Sequence, residues 1–222
     1  MSFSGGPTLR YIEEAYGAPK AVPLYCSVDP RHYEPRPQEA RWDLGYLGTY
    51  SLDRQPPLQK MLVEPARQWR EGSFVVAGPQ YPEEIEWPEN VHRIDHLPPA
   101  EHCDFYNQQR FTLNITRADM KKAGWSPSVR LFEAAACATP IISDWWEGLD
   151  EFFTPGVEIF ISNGSEDTLE HLMQLPNDAR REVGEAARRR VLANHTAGRR
   201  AQELEQHIHS ALAERGRSVA AL

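Results

Sequence analysis

From residue 42 onward, short apolar runs alternate with helical stretches, and this alternation sets the first expectation of a fold. Trp42 to Gly48 (WDLGYLG) is an apolar run closed by glycine, followed by Pro56-Pro57 and a helical stretch from Leu58 to Trp69. Ser73 to Ala77 (SFVVA) reads as a fully buried strand, Val91 to Leu97 as a weaker one, and Phe111 to Ile115 (FTLNI) as another. Between them Ala100 to Gln108 reads as a short helix. Ser128 to Cys137 is helical, Pro140 to Ser143 a strand, Leu149 to Phe153 a helical turn and Val157 to Ile161 (VEIFI) a last strand. Short apolar strands alternating with helices predict an α/β domain, a parallel sheet of about six strands with helices on both faces. The first forty residues differ: Pro7, Pro19, Pro23, Pro30, Pro35 and Pro37 punctuate them, leaving a helix over Thr8 to Tyr16 and one strand over Ala21 to Val28. Beyond Thr168 the pattern is helical, broken at Pro176 and at Asn194-His195-Thr196, with a closing helix near Thr196 to Arg215.

Composition narrows the partners. The chain has 222 residues, enough to bury a core without disulfides or metal. Its formal charge of −8 argues against a nucleic-acid duplex or an anionic membrane as main partner. The run of arginines from Arg180 to Arg200 interleaves with Glu182, Glu185, Glu203 and Glu205, which reads as a solvated, salt-bridged helix surface. No apolar run approaches the ~20 residues that span a bilayer, and no charged-then-apolar leader pattern follows Met1. Cys26, Cys103 and Cys137 are widely spaced and never C-x-x-C, so a cytoplasmic, reduced chain is expected. His92, His96 and His102 with Cys103 lack a zinc spacing, and neither D-x-D nor G-x-S-x-G occurs, so neither a metal nor the commonest hydrolase elbow is expected.

Four stretches carry candidate chemistry. Gly45 to Ser51 is a strand ending in a glycine turn ahead of a helix, where backbone amides at Gly48, Thr49 and Tyr50 can approach a phosphate and Arg54 can add a charged fork. The bland alternative is a turn glycine beside an exposed arginine. Gly124 to Cys137 places Ser126 as an N-cap and Pro127 at the first helical position of a helix that is apolar on nearly every side. Arg130 and Glu133 are its exceptions and share a face. Two readings stand for them: a buried ion pair, costly to desolvate, or a polar stripe on which Arg130 and the helix start meet phosphates while Glu133 accepts from ribose hydroxyls. Asn114 and Thr116 end a strand just before that helix, where a sheet presents side chains to a ligand. Ile142 to Leu149 ends a strand with Trp145 and Trp146 beside Asp144 and Glu147, either a stacking surface or packing under a loop.

The succession GYLGTYSLDRQ, VVAGPQYP, TLNITR, GWSPSVRLFEAAACATPIISD, GLDEFF, PGVEI and ANHTAGRR resembles the CgeB-type, spore-maturation-like glycosyltransferases, relatives of the retaining GT-B enzymes. The resemblance covers about Trp42 to Arg200 and is most specific over Ser126 to Asp144. It implies the Rossmann-like carboxyl-terminal half of a GT-B fold over residues 41–195, preceded by the tail of an amino-terminal domain (1–40) and followed by a terminal helix (196–222). It implies a nucleotide-sugar substrate, UDP- or GDP-linked, no further cofactor and no metal. Glu133 would hold the ribose, Gly48 and Arg54 would face the diphosphate with Ser128 and Arg130 beside it, and His96 and Leu97 would border the base. Trp125 stands where the retaining relatives carry a second glutamate, and Ala138 where they carry a glycine. No catalytic residue follows from this. The implied acceptor is unspecified, and the domain that binds it would be supplied by a missing amino-terminal half or a partner chain. The rival readings are a non-catalytic nucleotide-binding or scaffolding module and a dinucleotide oxidoreductase, the latter lacking its G-x-G-x-x-G.

Overall fold

The computed structural model describes residues 1–220. Its centre is one six-stranded, wholly parallel sheet in the order β3-β2-β1-β4-β5-β6. The strands are β1 (Trp42–Leu47), β2 (Phe74–Ala77), β3 (Val91–Ile94), β4 (Gln109–Asn114), β5 (Ile141–Ser143) and β6 (Phe160–Ile161). Apolar runs without alternation suit strands covered on both faces, and every residue of β2 and β5 is buried. The chain leaves β1 towards β2 and β3, then returns to pair β4 with β1 in register (Gly45 opposite Thr112, Tyr46 opposite Leu113) before continuing outward. Strand order therefore reverses between β1 and β4. Their carboxyl ends form the topological switch point at which open α/β sheets bind ligands.

The helices are α1 (Pro7–Tyr16), α2 (Gln55–Leu58), α3 (Glu64–Gln68), α4 (His102–Asn107), α5 (Ala118–Ala123), α6 (Val129–Ala136), α7 (Leu149–Phe152), α8 (Ser165–Gln174), α9 (Asn177–Asn194) and α10 (Ala197–Ala220). One face of the sheet is covered by α4, α6 and α7, with Tyr106, Phe132 and Phe153 fully buried among them. The other is covered by α2, α3 and α8 through Leu58, Ala66 and Leu172, and α9 contributes to both through Val183 and Val191. A π-helical turn, Gln59–Val63, joins α2 to α3. Pro65 follows it with no N–H to give the ladder, and the wider turn absorbs that defect within a continuous helical run.

The structure corrects the outline in three places. Residues 21–28 form no strand: β-pairing there is limited to single bridges, Ser2 to Pro23 and Val28 to Thr196, because Pro23 cannot donate to a ladder. The strand expected over Val157 to Ile161 shrinks to β6, since Gly156 turns left-handed (φ 75°) and Pro155 bridges Ile159. The helix expected from Ser126 begins at Val129, with Ser128 as N-cap and no side-chain cap bond. Ser126 instead accepts the Ser4 hydroxyl at 2.8 Å, and the Pro127 carbonyl accepts the Cys26 thiol at 3.2 Å. Both contacts come from the amino-terminal segment, which packs against the loop leading into α6. The closing helix is α10, and residues 221 and 222 of the expected terminal segment lie outside the described residues.

Candidate functional site

A cleft of about 470 Å³ opens at the switch point, between the loop after β1 and the amino end of α6. Arg54, Thr116, Ser128 and Arg130 line it, together with Phe3 and Cys26 of the amino-terminal segment. Arg54 is not the exposed arginine of the bland reading: it is 8% exposed and turns back on its own loop. Its Nε donates to Ser51 Oγ at 2.8 Å and an Nη to the Thr49 carbonyl, so the guanidinium is oriented before any ligand arrives. Gly48 donates to the Ala77 carbonyl at 2.8 Å and accepts the Tyr81 hydroxyl at 3.1 Å, and the Tyr50 amide donates to the Pro79 carbonyl. These bonds fix the β1 loop against β2.

Arg130 and Glu133 form no ion pair, which removes the bland reading of that helix. The Arg130 guanidinium lies 5.4 Å from the centroid of the buried Tyr46 ring, and its Nη1 is buried with no hydrogen-bond partner. Glu133 accepts the Tyr33 hydroxyl at Oε1 (2.9 Å) and the Tyr106 hydroxyl at Oε2 (3.1 Å). Burial, then the Glu133 charge, pushes both phenols well above the usual tyrosine range, so both remain donors.

Asn114 and Thr116 are placed differently from each other. Asn114 is buried below the cleft, donating to Ser143 Oγ at 2.9 Å and to Thr116 Oγ1 at 3.3 Å. Thr116 reaches the cleft wall, held by donation from its N–H and Oγ1 to Asp144 Oδ1 at 3.1 and 2.9 Å. Lys121 Nζ completes the network at Asp144 Oδ2, 3.1 Å away. Burial raises the Asp144 carboxyl, while Lys121 and the Thr116 bonds pull the other way. His96 is exposed and Leu97 packs against the core beyond β3, two strands away from β1, so neither lines this cleft. Gly48, Thr49, Tyr50 and Glu133 lie outside its lining too, and Trp125 does not line it either. Its backbone is left-handed (φ 41°), its indole N–H donates to Glu151 at 2.6 Å, and its ring is clasped by Gly6 and Gly148. A Cβ on those glycines would come within 2.2 and 2.6 Å of indole carbons.

Sequence reasoning missed Tyr33, Tyr46, Tyr106 and Cys26. No local pattern marks a tyrosine in a proline-rich segment, and its contact with Glu133 spans a hundred positions. Among the described residues no group of three His, Cys, Asp or Glu is placed to hold a metal ion, and no helix is long and apolar enough to cross a membrane.

A Rossmann-like parallel sheet with a cation-lined cleft at its switch point has the architecture of the carboxyl-terminal domain of GT-B glycosyltransferases. Residues 54–206 match the family model described as glycosyl transferase-like, and the chain belongs to that family. No curated protein matches the sequence. Among solved structures, sucrose-phosphate synthase from Thermosynechococcus elongatus superposes with a TM-score of 0.72 at 14% identity, over 95% of this chain and 58% of that one. Anabaena HepE, solved in complex with UDP-glucose, gives 0.70 at 12% identity, over 85% of this chain and 57% of that one. The chain thus spans little more than half the length of either. The carboxyl-terminal domain of a group 1 glycosyl transferase (LpcC) from Francisella tularensis is matched over 99% of its length and 77% of this chain, with a TM-score of 0.59 and 12% identity.

Proposed function

We propose that this chain is the donor-binding half of a glycosyltransferase of the CgeB type, holding a nucleoside diphosphate sugar with the diphosphate between Arg54 and Arg130. One observation carries the reading: Arg130 is a cation without a counter-ion, its Nη1 buried and unpaired, at the switch point of a parallel sheet. An unpaired buried donor on a charged group is costly, and an anionic ligand in the cleft would satisfy it. The amide end of α6 at Ser128 and Val129 adds donors from the same side. Glu133 retains lone pairs for ribose hydroxyls beyond the two tyrosines it accepts. In transfer, the bond between the sugar anomeric carbon and the diphosphate oxygen breaks while a bond to an acceptor oxygen forms and the acceptor loses its proton. Arg54, Arg130 and the helix amides would meet the charge that develops on the departing diphosphate.

HepE was solved with UDP-glucose, which makes uridine diphosphate the first donor to try. A thermal-shift comparison of UDP, GDP and their glucose conjugates tests the reading, since a ligand at 100 times its Kd adds ~2.7 kcal/mol. A shift with one diphosphate supports it, and no shift with any of them overturns it. Slow or absent transfer is expected of this chain alone. Alignment of two substrates is worth ~7–11 kcal/mol, and a facing acceptor domain would provide it. Trp125 favours a second reading, a nucleotide-binding scaffold, because its ring is clasped away from the cleft and offers a bound sugar no carboxylate. Binding without turnover, even when an acceptor domain is supplied, would select that reading.

A further inference from the structure

A second cleft, about 500 Å³, opens at the carboxyl ends of β4, β5 and β6 on the far side of α5. Helix α5 is the partition: Met120 lines the first cleft and Lys121 the second, while Thr116 forms part of both walls. The volume suits a small ligand. Two carboxylates (Asp53, Asp144) and two ammonium groups (Lys60, Lys121) line the second cleft, so their formal charges cancel. Lys121 is committed to Asp144, whereas Lys60 is exposed and has no partner among the described residues. Trp145 is 44% exposed on its wall, next to Trp146, which is 2% exposed and packs 5.8 Å from the Phe152 ring. The buried tryptophan anchors the loop after β5, and the anchored loop holds the other indole at the cleft.

We propose that this second cleft is a binding site for a neutral, hydroxyl-rich ring, a pyranose sugar, seated with its C–H face on Trp145 and its hydroxyls towards Lys60 and the Asp144–Lys121 pair. Both carboxylates are already matched, Asp144 with Lys121 and Asp53 with Arg117, so the wall offers a cation no free partner. A broad indole face beside donors and acceptors matches a molecule that carries C–H groups on its faces and hydroxyls on its edge. The shared Thr116 wall sets such a sugar next to the diphosphate cleft, as an acceptor would have to be. That last assignment rests on the donor reading; the sugar site itself does not.

The experiment is ligand-observed saturation-transfer NMR on the full chain with methyl glucoside, methyl galactoside, methyl mannoside and N-acetylglucosamine, each with and without saturating UDP. At least one sugar should receive saturation at its ring C–H protons, undiminished by UDP. Trp145→Ala should weaken that sugar about tenfold, and Lys60→Ala should weaken it too, while UDP affinity changes by less than about twofold. Trp145 is half exposed and Lys60 exposed, so neither variant threatens the fold. Displacement of the sugar by UDP, an unchanged signal in both variants, or no signal from any of the four would overturn the proposal. A sugar signal in a chain that binds no UDP would leave this site standing and remove the acceptor role.

Discussion

The Tyr33 hydroxyl, carried by the amino-terminal segment, donates to Glu133 Oε1 at 2.9 Å and, with Tyr106 at the other oxygen, fixes how the carboxylate presents its remaining lone pairs. A hydrogen bond to a charged group contributes about 1.5–3 kcal/mol when buried, and less here because Tyr33 is only half buried. Tyr33→Phe is therefore expected to lower UDP affinity roughly threefold to tenfold by loosening the Glu133 carboxylate. The deoxy analogue of UDP that lacks the hydroxyl held by Glu133 should bind parent and variant alike. Titration calorimetry with UDP, 2′-deoxy-UDP and 3′-deoxy-UDP checks this. An equal loss with all three would make the tyrosine a structural prop.

Arg130 offers a second test. Its buried, unpaired Nη1 outweighs the favourable place over Tyr46 and makes it a poor contributor to folding, and a strong one to binding an anion. Arg130→Met should cost about 1.5–3 kcal/mol of diphosphate binding, roughly ten- to hundredfold in Kd, while the melting temperature holds or rises. Calorimetry and a thermal melt on the same sample decide it. Undiminished affinity would move the phosphates elsewhere.

His195 gives the fold an acid limb. The Arg200 guanidinium, which can only donate, lies 2.6 Å from His195 Nδ1, so that nitrogen is unprotonated and the ring neutral. Burial first, then Arg200 and Arg190, lowers the pKa from 6.5 to about 4. The unfolded chain therefore binds a proton below 6.5 that the folded chain refuses until about 4. The stability this neutral ring supplies is complete above pH 6.5 and is lost as pH falls towards 4. The loss is of the order of 2–3 kcal/mol. Denaturant melts across that window should slope steeply for the parent and more gently for His195→Gln. The same slope in both would assign the acid sensitivity to other groups.

The sheet was legible where its strands carry continuous apolar runs, as in β2 and β5, and the helix over α6 because only Arg130 and Glu133 interrupt it. The segment before β1 was not, since its order comes from contacts such as Gly5 N–H to the Trp125 carbonyl and Val28 N–H to the His195 carbonyl, which no local period announces. The same holds at the site. Arg54 and Arg130 could be picked as charged residues at a glycine turn and on a buried helix. The tyrosines that hold Glu133 come from distant elements, and the inward turn of Asn114 depends on Ser143 in the neighbouring strand. Local pattern located the elements, and long-range hydrogen bonds set how their side chains are turned.

The end of α6 carries a residue that its backbone does not suit. Ala138 is left-handed (φ 56°), the Ala138 N–H donates to the Ala135 carbonyl at 2.9 Å, and the Thr139 N–H donates to the Ala134 carbonyl at 3.0 Å. That paired arrangement is the Schellman ending, whose left-handed position is ordinarily glycine because a Cβ there crowds the following carbonyl. An L-residue pays about 1–2 kcal/mol to sit there. Glycine removes that strain but brings a more flexible unfolded chain, which takes back roughly 0.4–1 kcal/mol. Ala138→Gly should therefore stabilise the fold by about 0.5–1 kcal/mol, with diphosphate affinity unchanged because neither bond of the motif reaches the cleft. Ala138→Val should go the other way, since a β-branched residue tolerates the left-handed region worse than alanine. Denaturant midpoints for the three proteins form the test. A glycine variant no more stable than the parent would mean that the backbone relaxes out of the left-handed conformation when alanine is present.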